Sequence, residues 1–330
     1  MKILIVGEFL PFRIEIFYRY YFNLLGCKVF TFHTGIIPKI LELPWQFIIN
    51  RQLLKKIRLI KPELILVIKG YFLYPDTILK IKELIKMPIF CFNPDDPFNI
   101  FYPGSSNENI IRAIPYYDCY FTFNRNLLEK IKKGGVRRVE YLPFAFDPQL
   151  HHPIEVTEEE KGYYGNDVVF IGNWSIEREG YLKELKRFDL AIWGENYWKR
   201  LCKDKDLKKR WRKKAVYGTE QSKVLNSSKI SLNILRAQNK GSHNMRTFEL
   251  PACGAFVVSE RSPEIEEFFK EDEEIVLFSS PDELKEKIGY YLHNEEKRKR
   301  IAEAGFRRCI ESNYTYQRRA ERILEIADNV

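Results

Sequence analysis

The chain has 330 residues, 45% of them apolar and 30% charged, with a formal net charge of +9. That length exceeds one ordinary domain and supplies apolar material for two cores, and no apolar run approaches the ~20 residues of a membrane span. The positive balance favours anionic ligands such as nucleotides, phosphorylated acceptors or an acidic membrane surface; no nucleic-acid motif accompanies it, so nucleic acid is not expected as a partner.

Residues 2–6 read as a strand that stops at Gly7. This apolar piece is too short, and Glu8 follows too soon, for a secretory signal, so a cytoplasmic location is expected. Residues 13–25 read as a helix ended by Gly26, 29–32 as a short strand running into His33, and 45–60 as an amphipathic helix stopped by Pro62. A continuous apolar strand, 64–68, ends in Lys69-Gly70. A helix over 76–85 has Asp76 as its expected N-cap. Strand 89–92 runs into Asn93-Pro-Asp-Asp-Pro97, and strands 119–123 and 139–142 flank a helix over 126–133. Such alternation implies right-handed βαβ units and a parallel sheet. Residues 143–160 carry prolines, His151-His152 and an acidic cluster without a strong period, and read as a linker.

The scheme then repeats. Strands are expected at 168–171, before Gly172-Asn173; at 190–193, before Gly194; at 215–217, before Gly218; and at 230–235, 256–258 and 275–278. Helices are expected at 263–270, 282–292, 295–309 and 316–327. A strand followed by a glycine-bearing turn places ligand loops at the carboxyl edge of a doubly wound sheet. The expected fold is α/β, with two Rossmann-like domains, 1–150 and 151–315, facing each other across a cleft. The six cysteines are dispersed, with no CxxC pair or Cys/His cluster, which argues against zinc and against a disulfide scaffold.

The segment from Gly241 to Val258 is the most informative. It reads as a loop, a short helix carrying Arg246 and Glu249, a glycine stop and a buried strand. Arginine and glutamate three apart share a helix face. The helix start offers N–H groups and partial positive charge to an anion, the forked guanidinium suits a diphosphate, and the carboxylate suits the hydroxyls of a ribose. An exposed helix glutamate, or an ion pair between the two, is the structural alternative. Pro251 removes an N–H and crowds the turn before it, so this helix should be short or kinked.

Ser228-Lys-Ile-Ser-Leu-Asn-Ile234 and Asn244-Met-Arg-Thr-Phe-Glu-Leu-Pro-Ala-Cys-Gly-Ala-Phe256 resemble the CgeB-like glycosyltransferases, which belong with the group 1 glycosyltransferases of the GT-B type. Phe170-Ile-Gly-Asn173, Asp282-Glu-Leu284, Ala304-Gly305 and Tyr314-Thr-Tyr-Gln-Arg318 add to the resemblance, which is strong from about 165 to 320. The first half rests on Asn93-Pro-Asp-Asp-Pro97 and Leu142-Pro-Phe-Ala-Phe-Asp147. The resemblance implies transfer of a sugar from a nucleotide sugar. It implies a donor domain at 151–315, an acceptor domain at 1–150, and a segment 316–330 that packs back toward the first domain. It sets Glu249 as the ribose-binding glutamate and Arg246 on the helix facing the diphosphate. One departure stands out: Gly241 occupies the position of a second glutamate near the transferred sugar in many group 1 enzymes.

Other residues join these as candidates, each with a plain alternative. Gly172 and Asn173 can bring backbone N–H groups to a phosphate or form a simple turn. Arg178 can reach the cleft from the next helix. Trp193 can stack on a base or fill the core. Arg236 can touch phosphate or make a surface salt bridge. His243 can hydrogen-bond phosphate or sugar, or serve the interior. In the first domain one of Asp95 and Asp96, by preference Asp95, can act as base toward the acceptor hydroxyl, or both can cap the turn. His33 is the alternative base. Asp204-Lys-Asp206 matches an acid-x-acid metal pattern but lies in a lysine-rich helical stretch, so no metal and no cofactor beyond the nucleotide sugar are expected. The acceptor is left open between glycan, lipid-linked, protein and small-molecule classes. The stretch 45–58 can contact a membrane peripherally, at its inner face, or simply cover the sheet. The expected function is a metal-independent glycosyltransferase; a nucleotide-sugar epimerase on the same scaffold and a non-catalytic nucleotide-sugar-binding protein are the alternatives.

Overall fold

A computed structural model of the chain describes residues 1–35 and 45–329. It divides into two compact units, Met1–Pro143 with Tyr316–Val330, and Phe144–Thr315. The expected boundary at 150 falls inside the second unit.

The first unit alternates β1 (Lys2–Gly7), α1 (Ile14–Leu24), β2 (Lys28–His33), α2 (Trp45–Ile60), β3 (Leu64–Ile68), α3 (Pro75–Leu84), β4 (Ile89–Asn93), α4 (Glu108–Ala113), β5 (Cys119–Thr122), α5 (Leu128–Lys133) and β6 (Arg138–Tyr141). These strands form a parallel sheet in the order β2-β1-β3-β4-β5-β6. Every residue of β3 and β4 is buried, as expected of strands covered on both faces. Helix α2 shows how the pattern works on one face: Ile49, Leu53 and Ile57, four apart, are buried, while Phe47, Arg51, Lys55 and Arg58 are exposed. Asp76 is not an N-cap. Tyr74 holds that position and Pro75 occupies the first turn, where its missing N–H costs nothing.

The second unit contains α6 (Glu158–Tyr164), β7 (Val168–Ile171), α7 (Ile176–Leu182), β8 (Leu190–Trp193), α8 (Tyr197–Leu201), α9 (Lys205–Arg210), α10 (Gly218–Ser227), β9 (Ile230–Asn233), α11 (Arg246–Ala252), β10 (Val257–Glu260), α12 (Pro263–Phe268), β11 (Val276–Phe278), α13 (Pro281–Leu292) and α14 (Glu295–Glu311). Its parallel sheet runs β11-β10-β9-β7-β8. The chain goes from β7 outward to β8, then returns to place β9 on the other side of β7. The carboxyl ends of β7 and β9 therefore flank a topological switch point, the crevice where open α/β sheets bind ligands.

Two expectations change here. Residues 215–217 are not a strand: beside the edge strand β8 the chain makes one bridge, Ile192 with Trp211, and one bond from Gly194 N–H to the Lys214 carbonyl. Nor is 143–160 a loose linker. Phe144, Ala145, Phe146, Asp147 and His151 are buried, Phe146 pairs with Thr315, and α6 starts on a capping box between Thr157 and Glu160. The last helix, α15 (Tyr316–Ala327), packs on α1 within the first unit. Tyr316 stacks on Phe17 at 4.6 Å and meets Tyr18 edge-on, and Arg319 Nε donates to the Pro143 carbonyl. Among the described residues no helix is long and apolar enough to cross a membrane.

Candidate functional site

Three arginines gather at the β7–β9 switch point. Arg178, held at the start of α7 by the Ser175 cap, is buried. Its Nε donates to the Ile234 carbonyl and one terminal nitrogen to the Asn173 carbonyl, both at 2.9 Å, so the guanidinium sits on the loops that leave β9 and β7. Its pKa is pushed down to about 9, by burial first and then by the charges of Arg236 and Arg246. Burial is the largest cause and repulsion from the two neighbouring guanidinium groups adds to it; an anion at this poorly solvated spot relieves both.

Arg246 and Glu249 lie on one face of α11, as their spacing requires. The two are bonded to each other: Arg246 donates one terminal nitrogen to Glu249 Oε2 and to Gln221 Oε1, the latter at 2.6 Å, and its Nε donates to the Ile171 carbonyl at 3.3 Å. The Gln221 amide completes the ring by donating to Glu249 Oε2 at 3.4 Å. Glu249 is buried, which by itself would raise its pKa. The charge of Arg246 and the presence of His151 and Gln221 outweigh burial and hold the carboxyl below its ordinary value. Arg246 is the accessible member, with one fifth of its side chain exposed.

Helix α11 is short, with Pro251 inside it. Two of its first N–H groups, those of Thr247 and Phe248, go to Asn244 and Met245 rather than to an anion. Asn244 also donates to Asn233 Oδ1 at 2.9 Å, and Asn233 in turn donates to Thr247 Oγ1 and Ser259 Oγ. This buried amide–hydroxyl network pins the start of α11 to the ends of β9 and β10.

Other expectations are redirected. His243 is fully buried among Phe144, Phe248 and Phe268; it accepts the Phe144 N–H at Nε2 and donates from Nδ1 to Glu264 at 2.6 Å, so it serves the interior rather than a ligand. Trp193 is a core residue flanked by Tyr163 and Tyr164, with no face left for a base. The Gly172 N–H is taken by the Trp193 carbonyl, so it does not point at phosphate. Gly172 is needed for space instead: a Cβ there would come within 2.9 Å of the Phe170 ring and 3.3 Å of the Arg178 guanidinium. Asn173 accepts the Glu195 N–H on its side chain and Arg178 on its carbonyl. Arg236 follows β9 at the ligand edge, half-buried. Asp204 caps α9 and pairs with Lys186, and no cluster of three or more metal-type ligands occurs among the described residues.

In the first unit Asp96 closes its own turn, accepting the Phe98 N–H and the Asn99 amide. Asp95 pairs with Lys69 at 2.6 Å and accepts the Tyr102 hydroxyl at 2.7 Å. His33 is exposed at the end of β2 beside Phe9; partial burial, then Lys56 and Arg19, lower its pKa. The residues sequence reasoning did not select are Gln221 and His151, which come to Glu249 from α10 and from the 147–151 turn.

Residues 178–325 match the family model described as "Glycosyl transferase-like". The match runs from α7 through α14 and into α15, and marks the second unit as glycosyltransferase-like. The chain is 24% identical over 275 residues to the spore protein CgeB of Bacillus subtilis (strain 168), covering 78% of this chain and 80% of that one. A crystal structure of Anabaena HepE in complex with UDP and glucose superposes with a TM-score of 0.69 at 13% identity over the full length of both chains. Sucrose-phosphate synthase from Thermosynechococcus elongatus gives 0.74 at 9% identity, with all of this chain and 98% of that one covered. The chain thus has a GT-B fold of two Rossmann-like units, as the resemblance implied, with the arginine cluster at the β7–β9 edge of the second sheet.

Proposed function

We propose that the second unit binds a nucleoside diphosphate sugar at the β7–β9 edge and that the protein moves the sugar to an acceptor hydroxyl without a metal ion. The observation that carries this is the arginine cluster: a buried guanidinium on backbone carbonyls, repelled by two neighbours, at a sheet's switch point. The glycosyltransferase-like match and the UDP bound by HepE, which has the same fold, support it.

In this reading Arg178, Arg236 and Arg246 hold the diphosphate. Arg246 exchanges Glu249 for phosphate oxygen, and the released carboxylate accepts ribose hydroxyl. The acceptor oxygen bonds to the anomeric carbon as the bond from that carbon to phosphate oxygen breaks. The nucleoside diphosphate leaves as an anion that the fixed arginines stabilise without reorganisation. Asp95, held in place by Lys69 and Tyr102, takes the acceptor proton in preference to Asp96, which closes its own turn. The reaction takes place in the cytoplasm, and the exposed basic residues of α2 give the protein a means of resting on an anionic membrane.

The test is a thermal-shift screen with UDP-, GDP-, dTDP- and CDP-sugars, followed by a transfer assay with labelled donor. One nucleotide sugar should raise the melting temperature and lose its sugar to an acceptor, equally well with EDTA. Stabilisation by none of them overturns the reading. Activity abolished by EDTA and restored by Mn²⁺ overturns its metal-free form, and donor epimerised without acceptor replaces transfer by epimerisation.

A further inference from the structure

We infer that His151 forms the second half of the ribose site, its Nε2–H and Glu249 Oε1 together receiving one ribose hydroxyl. The inference rests on the donor-site reading above and adds a residue and a specificity to it.

The imidazole is fixed in one tautomer. The Asp147 N–H donates to His151 Nδ1 at 3.0 Å, so Nδ1 is an acceptor and the ring proton lies on Nε2. Burial keeps the ring neutral by lowering its pKa, against the pull of Glu249 and Asp147 and with the help of Arg246. The turn that presents the ring is tied down. Leu150 and His151 donate their N–H groups to the Asp147 carbonyl, Gln149 donates to its carboxylate, and Ser222 on α10 bonds the Leu150 carbonyl at 3.1 Å. Ser222 neighbours Gln221, the residue that braces Arg246 and Glu249, so turn and carboxylate share one support.

Nε2 faces Glu249 Oε1 at 3.9 Å. That is too long for a hydrogen bond. It is the separation a single hydroxyl oxygen spans, with an ordinary bond of about 2.8 Å to each side. The chemistry matches as well: the carboxylate only accepts, this ring nitrogen only donates, and a hydroxyl does both. The two carboxylate oxygens are already differentiated. Oε2 takes Arg246 and Gln221, whereas among the described residues no donor lies within hydrogen-bonding distance of Oε1. The pair therefore selects a ribonucleoside diphosphate over a form lacking the hydroxyl it holds, because the deoxy form leaves a buried donor and a buried acceptor without a partner.

Calorimetry with UDP, GDP, ADP and CDP identifies the nucleotide that binds. Its 2′-deoxy and 3′-deoxy forms are then compared on the wild type, on His151→Asn and on His151→Gln. Asparagine keeps an acceptor for the Asp147 N–H but does not reach Glu249; glutamine carries an N–H donor outward. The wild type should bind one deoxy form about tenfold more weakly than the ribonucleotide. His151→Asn should lose most of that preference at an unchanged melting temperature, and His151→Gln should recover part of it. If asparagine lowers the melting temperature, His151→Gln against His151→Leu, compared where both are folded, decides in the same way. Full preference retained in His151→Asn, or no preference in the wild type, overturns the role of His151 alone. Binding by none of the four, and none by dTDP, overturns the donor site itself; binding by dTDP alone keeps the donor site and overturns the selection of a ribonucleotide.

Discussion

Glu249 and Arg246 hold one another, and each can be tested apart. Glu249→Ala should weaken nucleotide binding in calorimetry by about tenfold or more, since it removes a charged acceptor; unchanged affinity removes the residue from the site. Arg178→Met should erase the stabilisation that pyrophosphate gives the wild type in a thermal-shift assay, because stabilisation follows binding to the folded state. The pH dependence of the Glu249 pair has a definite sign. Its carboxyl titrates below the ordinary value of 4.5 in the fold, so the stability it contributes is complete above that value and is lost as pH falls through the folded one. Glu249→Gln should accordingly show a shallower loss of stability on the acid side, read by urea unfolding between pH 6 and pH 3. At this scale the sequence was partly legible. The three-residue spacing put Arg246 and Glu249 together, but nothing local announced Gln221 and His151. His243 stands three residues before Arg246, yet spacing along a loop carries no direction, and the aromatic wall of Phe144, Phe248 and Phe268 draws it inward.

Elements set the positions of these residues through close backbone approach. A Cβ on Gly194 would stand 2.2 Å from the Gly172 carbonyl oxygen, whereas a Cβ on Gly172 meets only side chains. Gly194→Ala should therefore destabilise the protein more than Gly172→Ala, the latter by about 1–3 kcal/mol, in denaturant unfolding; the reverse order would show that the β8 loop yields more readily than its packing indicates. Gly172→Ala also presses on the Arg178 guanidinium and should weaken nucleotide binding. Continuous apolar runs made β3, β4 and β7 readable, because a strand buried on both faces has no other option. Residues 215–217 look the same in sequence but run beside an edge strand, and Trp211 makes the single bridge there. The capping box of Thr157 and Glu160 was visible in principle and would have placed α6 within the supposed linker.

For the whole molecule, the repeated strand–glycine–helix rhythm made two parallel α/β units legible, while the place where the chain leaves the first of them was not, since residues 143–151 look like linker and pack like core. The first unit is discontinuous. Tyr316, Ala320, Ile323 and Ile326 are buried in it, against a helix formed by residues 14–24. Removing residues 316–330 should uncover Phe17 and Tyr18 and raise hydrogen exchange in α1, while the core of the second unit keeps its protection; equal protection of α1 with and without the segment would show that α15 contributes little there. During synthesis, then, the amino-terminal half cannot reach its final packing as it emerges from the ribosome. Its aromatic groove must wait until some 170 further residues have been made, a ~10–35 s delay at ordinary elongation rates. The second unit, contiguous in the chain, is complete before the first, and chaperones that shield exposed apolar surface have the nascent first half to attend to in the interval.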